Sequence, residues 1–123
     1  MIRIFLFIAA LLGGLSVATG AFAAHALRER LTERSLEIFE TAVRYQMYYA
    51  LALLGVALLL IRAESTALIV AGWAFIVGIT LFSGSLYTLS LSNIKILGAV
   101  APLGGVGLII GWAAIAIAAF NFK

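Results

Sequence analysis

Residues 4–24 read IFLFIAALLGGLSVATGAFAA, a stretch of 21 residues without a charged side chain. As a helix rising about 1.5 Å per residue it is about 31 Å long, which matches the hydrocarbon core of a bilayer. The stretch also fits a secretory signal, because Arg3 precedes it and residues 21–23 form an A-x-A cleavage site. Its uncharged length exceeds the roughly 7 to 15 residues of a signal's apolar region, so we interpret it as a retained membrane helix.

Three further apolar stretches follow, at about residues 45–61, 67–89 and 96–120. The turns that join the last three are short and polar, and short turns make successive helices antiparallel neighbours. The sequence therefore predicts an all-α membrane protein. We expect a single membrane domain, residues 1–123, built as an antiparallel bundle of four transmembrane helices.

The composition supports this class and excludes several others. Hydrophobic residues make up 65% of the chain and charged residues 11%, which is too little polar surface for a soluble domain of this size. Eight Lys and Arg against five Asp and Glu, spread along the chain, are too dilute for a nucleic-acid surface. With no Cys and a single His, His25, we expect no metal site, and nothing in the sequence indicates a cofactor.

Residues 27–44 form the one charged segment, and their apolar side chains recur at helical spacing. This pattern predicts an amphipathic helix that extends the second span out of the bilayer and buries Leu31, Ile38 and Phe39. Thr32 and Ser35 are both suitable N-caps.

Small residues and one proline mark the faces of the first and fourth helices. Gly14, Ala18 and Ala21 share a face of the first helix, and Gly107 and Gly111 form a G-x-x-x-G pair, so both sets predict close helix packing. His25 continues the first of these faces and should point at neighbouring helices. Pro102 predicts that the fourth helix bends or begins near that residue.

Antiparallel topology brings four polar or irregular motifs to one side of the bilayer, and we expect them to form a polar cluster. Its predicted members are His25, Tyr45, Gln46, Ser83, Ser85, Tyr87, Ser90, Pro102, Gly104 and Gly105. We expect His25 to lie within hydrogen-bond or one-water reach of Gln46 or Tyr87. The same geometry is equally compatible with a hydrogen-bonded lid that only fixes the bundle.

Four motifs, in order along nearly the whole chain, resemble the domain of unknown function 423 family, also called the transmembrane protein 256 family. They are GAFAAHAL at residues 20–27, YQ at 45–46 with ALALL at 50–54, LFSGSLY at 81–87, and PLGG at 102–105 with GW at 111–112. The resemblance implies a small integral membrane protein of bacteria or mitochondria, and it brings no reaction, substrate or cofactor with it. Ala23 and Tyr49 stand where the family usually has Gly and a second His, which weakens any mechanism based on paired histidines.

Function is then a choice among classes. We expect a non-enzymatic accessory, assembly or structural subunit that packs against a membrane protein partner or against copies of itself. The alternatives are a small transporter or channel formed by an oligomer, with Thr80, Ser83 and Tyr87 lining a path, and an enzyme acting on lipid or quinone through His25. No Gly-x-Ser-x-Gly elbow or acidic pair supports catalysis. The distribution of Lys and Arg places both termini outside a bacterial plasma membrane or its equivalent.

Overall fold

The computed structural model describes residues 1–122 and contains four long helices, with no strand in that part of the chain. The helices are α1 (Ile2–Phe22), α2 (Glu33–Arg62), α3 (Thr66–Ser92) and α4 (Leu97–Ala119), and a single π-helical turn, Ala23–Leu27, continues α1. All four are long and apolar enough to cross a membrane. The predicted all-α bundle of four membrane helices is therefore confirmed.

The helix α2 is the longest of the four, with 30 residues, and apart from Arg62 its charged side chains lie in residues 33–44. The predicted amphipathic segment, residues 27–44, is not one continuous helix, but its cap is one of the two predicted residues. The amphipathic helix begins at Glu33, because Thr32 is extended and its side-chain oxygen accepts a hydrogen bond from Ser35 N at 3.1 Å. Phe39 is buried as predicted, whereas Leu31 and Ile38 are half-buried.

Successive helices pack side by side, α1 on α2, α2 on α3 and α3 on α4. The hydrophobic core lies mainly between α2 and α3, where Leu53, Val56, Leu68 and Phe75 are all but inaccessible to solvent. Phe5 carries α1 into this core by covering Gly72 of α3, so a methyl group at that glycine would overlap the phenyl ring. Gln46 and Tyr87 contact α1 further along the helix, at Leu12 and Thr19.

Among the described helices, α3 and α4 make the most extensive contact, and it is a close one. A Cβ placed on Gly78 would lie 2.9 Å from the carbonyl oxygen of Gly104, and one placed on Gly107 would lie 3.2 Å from the Cα of Gly78. Gly111 accommodates the ring of Phe75 in the same way. At such distances backbone atoms touch directly, which strengthens dispersion contacts where no hydrophobic effect drives helix association.

The sequence analysis offered a helix start near Pro102 as one possibility, and this is wrong. The helix starts at Leu97, and Pro102 is its sixth residue, with an exposed ring. At this position proline deprives only the carbonyl of Gly98 of its helical donor, and that glycine is itself exposed. The interruption is thus tolerated in the first two turns without ending the helix.

Candidate functional site

A chain of hydrogen bonds ties three of the four helices together. The hydroxyl of Tyr87 on α3 donates to Oε1 of Gln46 on α2 at 2.6 Å. The amide Nε2 of Gln46 then donates to the backbone carbonyl of Leu12 on α1 at 2.9 Å. Because the Tyr87 proton is donated to Gln46, the hydroxyl of Thr19 is the donor in a further hydrogen bond of 3.2 Å to Tyr87. We call Thr19, Gln46 and Tyr87 the polar tie.

Local packing holds each member of the polar tie in place. The ring of Phe39 lies edge-on against the ring of Tyr87, with centroids 4.9 Å apart. The single hydroxyl proton of Thr19 is shared between Tyr87 and the carbonyl of Leu15, which lies 2.9 Å away in the same helix. Ser83 on α3 donates to the carbonyl of Ala42 on α2 at 2.8 Å. It is the second hydrogen bond between α2 and α3, after the one from Tyr87 to Gln46, and together they fix the register of these two helices.

Gln46 is the buried member of the tie, at 6% exposed, and Thr19 and Tyr87 are half-buried. The neighbouring Ser83 is 3% exposed. Among residues 1–122 no fully buried side-chain nitrogen or oxygen lacks a hydrogen-bond partner. In a bilayer this matters because an unpaired polar group in hydrocarbon costs several kcal/mol.

A shallow groove of about 240 Å³ runs along the tie between α1 and α3. Gln46 lies at its base, and exposed side chains such as Leu15 and Thr80 form its rim. Gly84 leaves the rim open, since a methyl group there would meet nothing within 4 Å. The groups that line this groove are neutral amides, hydroxyls and alkyl chains, which can hold an uncharged polar group but supply neither a charge nor a strong base.

His25 does not join the tie, contrary to prediction. Its side chain is exposed, and no hydrogen bond links it to Gln46 or Tyr87 in the described part of the chain. Thr19, six residues earlier, occupies the position expected for His25. The reason is the direction of the face that His25 shares with Gly14, Ala18 and Ala21, because that whole face points away from the bundle.

The remaining predicted members lie close in sequence to the tie but are satisfied locally. Ser85 and Ser90 each donate to a carbonyl three residues back in α3. Tyr45 lies against Phe82, with ring centroids 4.7 Å apart, and its ring is partly exposed. Ser85 and Ser90 therefore bond only within α3, and Tyr45 lies partly at the surface.

The α4 motif also stays apart from the tie. Gly104 lies against the backbone of Phe82, where a Cβ would overlap it, and Gly105 faces open space. What α4 does contribute is a hydrogen bond that the sequence analysis missed. Trp112 Nε1 donates to the hydroxyl of Tyr49 at 2.8 Å and so joins α4 to α2. The Trp112 indole and the Tyr49 phenol each combine an apolar ring with one polar atom that usually finds a hydrogen-bond partner. This property of the two residue types could have suggested the bond from the sequence.

The outer face of α1 carries small side chains among exposed large ones such as Phe7, Leu11 and Val17. Ala10, Gly14, Ala18 and Ala21 are all exposed, and a methyl group at Gly14 would meet nothing within 4 Å. We call these four residues the α1 outer stripe. By contrast, the glycines of α4 at 107 and 111 are used in packing on α3. Within residues 1–122 no cluster of His, Cys, Asp and Glu has the composition of a metal site.

Comparison with known proteins gives one consistent result. The family model described as "Protein of unknown function (DUF423)" matches residues 19–105, a range that includes the polar tie. A UPF0382 membrane protein of Staphylococcus epidermidis is 43% identical over 122 residues, covering 98% of both chains. The UPF0382 membrane protein YwdK of Bacillus subtilis is 43% identical over 121 residues, again with 98% of both chains covered. No solved structure shows significant similarity to the chain.

Proposed function

We propose that this chain, which belongs to the DUF423 family of membrane proteins of unknown function, is a non-catalytic accessory or assembly subunit that binds another membrane protein through the outer face of α1. Its relatives are named membrane proteins, and its four helices are each able to cross a membrane.

The observation that carries the proposal is the α1 outer stripe. Small side chains at spacings of three and four let a second helix approach the backbone closely, which is a common way for membrane helices to associate. Within residues 1–122 the stripe stays exposed, and only three of the 21 residues of α1 are buried. A partner helix is therefore the occupant that this surface suits best.

The interior of the bundle favours a structural role over transport by a single chain. The core between α2 and α3 is filled by large apolar side chains. Ser83 and Tyr87, which would line a path, direct their hydroxyls to Ala42 and Gln46 instead. Ionisable groups along a pathway are the usual sign of ion or proton transport. Within residues 1–122 the charged side chains, which are Arg, Lys and Glu, lie at the helix ends and in the amphipathic part of α2.

The test is co-purification from the native membrane in mild detergent. Gly14→Leu should abolish or strongly reduce recovery of a second membrane protein, because the leucine side chain separates the two helices by several ångströms. Gly55→Leu is the matched control, since Gly55 on α2 also has open space around its Cβ position. Recovery of the wild-type chain as a symmetric homo-oligomer alone would contradict the accessory role and favour an oligomeric transporter or channel.

We further propose that both termini lie outside the plasma membrane. Arg28, Arg30, Arg34, Arg44 and Lys95 belong to the border formed by the first and third loops, against Arg3, Arg62 and Lys123 at the other. The border richer in Lys and Arg normally faces the cytoplasm. A reporter fused to the C-terminus and active only in the cytoplasm should be silent, and its activity would reverse the assignment.

A further inference from the structure

A cavity of about 460 Å³ lies between the first turns of α2 and the turn that joins α3 to α4, and none of the polar-tie residues lines it. Its lining combines five polar residues with Ile38, Leu89 and Gly98. The polar residues are Thr32, Arg34, Ser35, Asn93 and Lys95. None of the eight lining residues is acidic, so the cavity carries two cationic side chains and no carboxylate.

The hydroxyl of Ser35 is the most informative group in this cavity. Ser35 is 8% exposed, and its hydroxyl makes no hydrogen bond in the described part of the chain. The buried serines of the membrane spans differ, since Ser16, Ser83, Ser85 and Ser90 each donate to a carbonyl. Since no fully buried polar side-chain atom in residues 1–122 is unpaired, the Ser35 hydroxyl must open onto free space, and the cavity that it lines is that space.

The N-terminus of α2 adds a second source of positive potential. Thr32 caps the helix at the edge of the cavity and satisfies the amide of Ser35. The amides of Glu33 and Arg34 precede the first intrahelical bond, which runs from Leu36 N to the Thr32 carbonyl at 2.9 Å. Free amides and the helix dipole favour an anion at this position. Glu33 is exposed and does not line the cavity.

We propose that this cavity binds a phosphate group, and specifically the headgroup of an anionic phospholipid. Lys95 and Arg34 would supply the charge, the Ser35 hydroxyl would donate a hydrogen bond, and Ile38 and Leu89 would contact the glycerol and upper acyl carbons. The location supports the lipid source, because the cavity lies where α3 ends and α4 begins, at the depth of the headgroups. This inference is independent of the proposed subunit role of α1.

Native mass spectrometry of the full chain in mild detergent tests the proposal. With phosphatidylglycerol as the probe, we expect one tightly bound lipid per chain. Lys95→Gln should weaken its apparent affinity about fivefold, the value expected for removing one cation near an anionic headgroup. Ser35→Ala should weaken it by at least fivefold, because a hydrogen bond to a charged group is lost.

Two controls separate this site from general attraction of the lipid to positive charge. Arg28→Gln removes an exposed cation on the same border but outside the cavity, and it should leave binding unchanged. Ser35→Ala removes a hydroxyl without a protein partner, so the variant should fold normally, as judged by its helical circular dichroism. Equal losses in Arg28→Gln and Lys95→Gln, or no loss in Ser35→Ala, would overturn the proposal.

Competition with inorganic phosphate distinguishes a phospholipid headgroup from free phosphate as the ligand of this cavity. If a lipid is the ligand, inorganic phosphate at millimolar concentration should not displace phosphatidylglycerol, because it lacks the contacts to Ile38 and Leu89. Full displacement at that concentration, or binding of phosphate without any retained lipid, would contradict the lipid assignment.

Discussion

Removing the hydroxyl of Tyr87 should destabilise the bundle more than removing the amide of Gln46, although the amide makes as many interhelical bonds. In Gln46→Met the tyrosine keeps Thr19 as a partner, and the Leu12 carbonyl keeps the hydroxyl of Ser16 at 2.9 Å. No group is left unpaired, so the cost is two interhelical hydrogen bonds, about 1.2 kcal/mol at the average of about 0.6 each.

Tyr87→Phe has a different consequence. It leaves Oε1 of Gln46 without its donor in a side chain that is only 6% exposed. An unpaired buried acceptor costs about 1 to 3 kcal/mol, and we expect about 2 kcal/mol here. In the double variant the stranded acceptor is gone, so Tyr87→Phe should then cost only its bond to Thr19, about 0.6 kcal/mol.

The assay is reversible unfolding in mixed micelles, followed by far-ultraviolet circular dichroism, for the two single variants and the double variant. The two sites should be coupled by about 1.4 kcal/mol, well beyond the roughly 0.3 to 0.5 kcal/mol within which independent sites add. Thr88→Val is the control, because the Thr88 hydroxyl is exposed and bonds only within α3. Additive effects, or a neutral Tyr87→Phe, would refute the assignment of these three residues as one hydrogen-bonded unit.

Three further substitutions test the helix contacts and the cap of α2. Gly111→Ala should destabilise the bundle by about 1 to 3 kcal/mol, since the new methyl group overlaps the ring of Phe75, whereas Gly105→Ala has open space and should be neutral or stabilising by up to about 1 kcal/mol in the same unfolding assay. Thr32→Ala removes the cap of α2 and should cost about 1 kcal/mol, visible as faster amide exchange at Ser35; unchanged exchange there would show that the cap is dispensable.

The number and class of the helices could be predicted because both depend on simple quantities. A run of about 20 apolar residues matches the bilayer thickness, and polar turns such as the one around Ser65 separate the runs. Capping was equally accessible, since Thr32 was one of two candidates for the start of α2 and is the residue observed. Antiparallel topology also brought Gln46 and Tyr87 to the same level, where they are hydrogen-bonded.

The orientation of α1 could not be predicted, and the misplacement of His25 follows from that. Every face of α1 is apolar, so periodicity cannot distinguish the face that packs from the face that meets lipid. The observed inner face carries Phe5, Ala9 and Ser16, whereas Gly14 and His25 face outward. A glycine allows close approach of a helix from the same chain or from another protein equally well. The sequence pattern of α1 does not distinguish these two cases.

Cysteine cross-linking at Ala18 tests whether the outer face of α1 contacts a partner protein. The sequence has no cysteine, so Ala18→Cys introduces a unique thiol in the α1 outer stripe, and Ile109→Cys provides a control on the 68% exposed side chain of α4. Oxidation or a short thiol-reactive cross-linker in native membranes should join Ala18→Cys, but not Ile109→Cys, to a second membrane protein identifiable by mass spectrometry. Cross-linking from both positions alike, or from neither, would contradict the claim that the outer face of α1 is the contact with a partner.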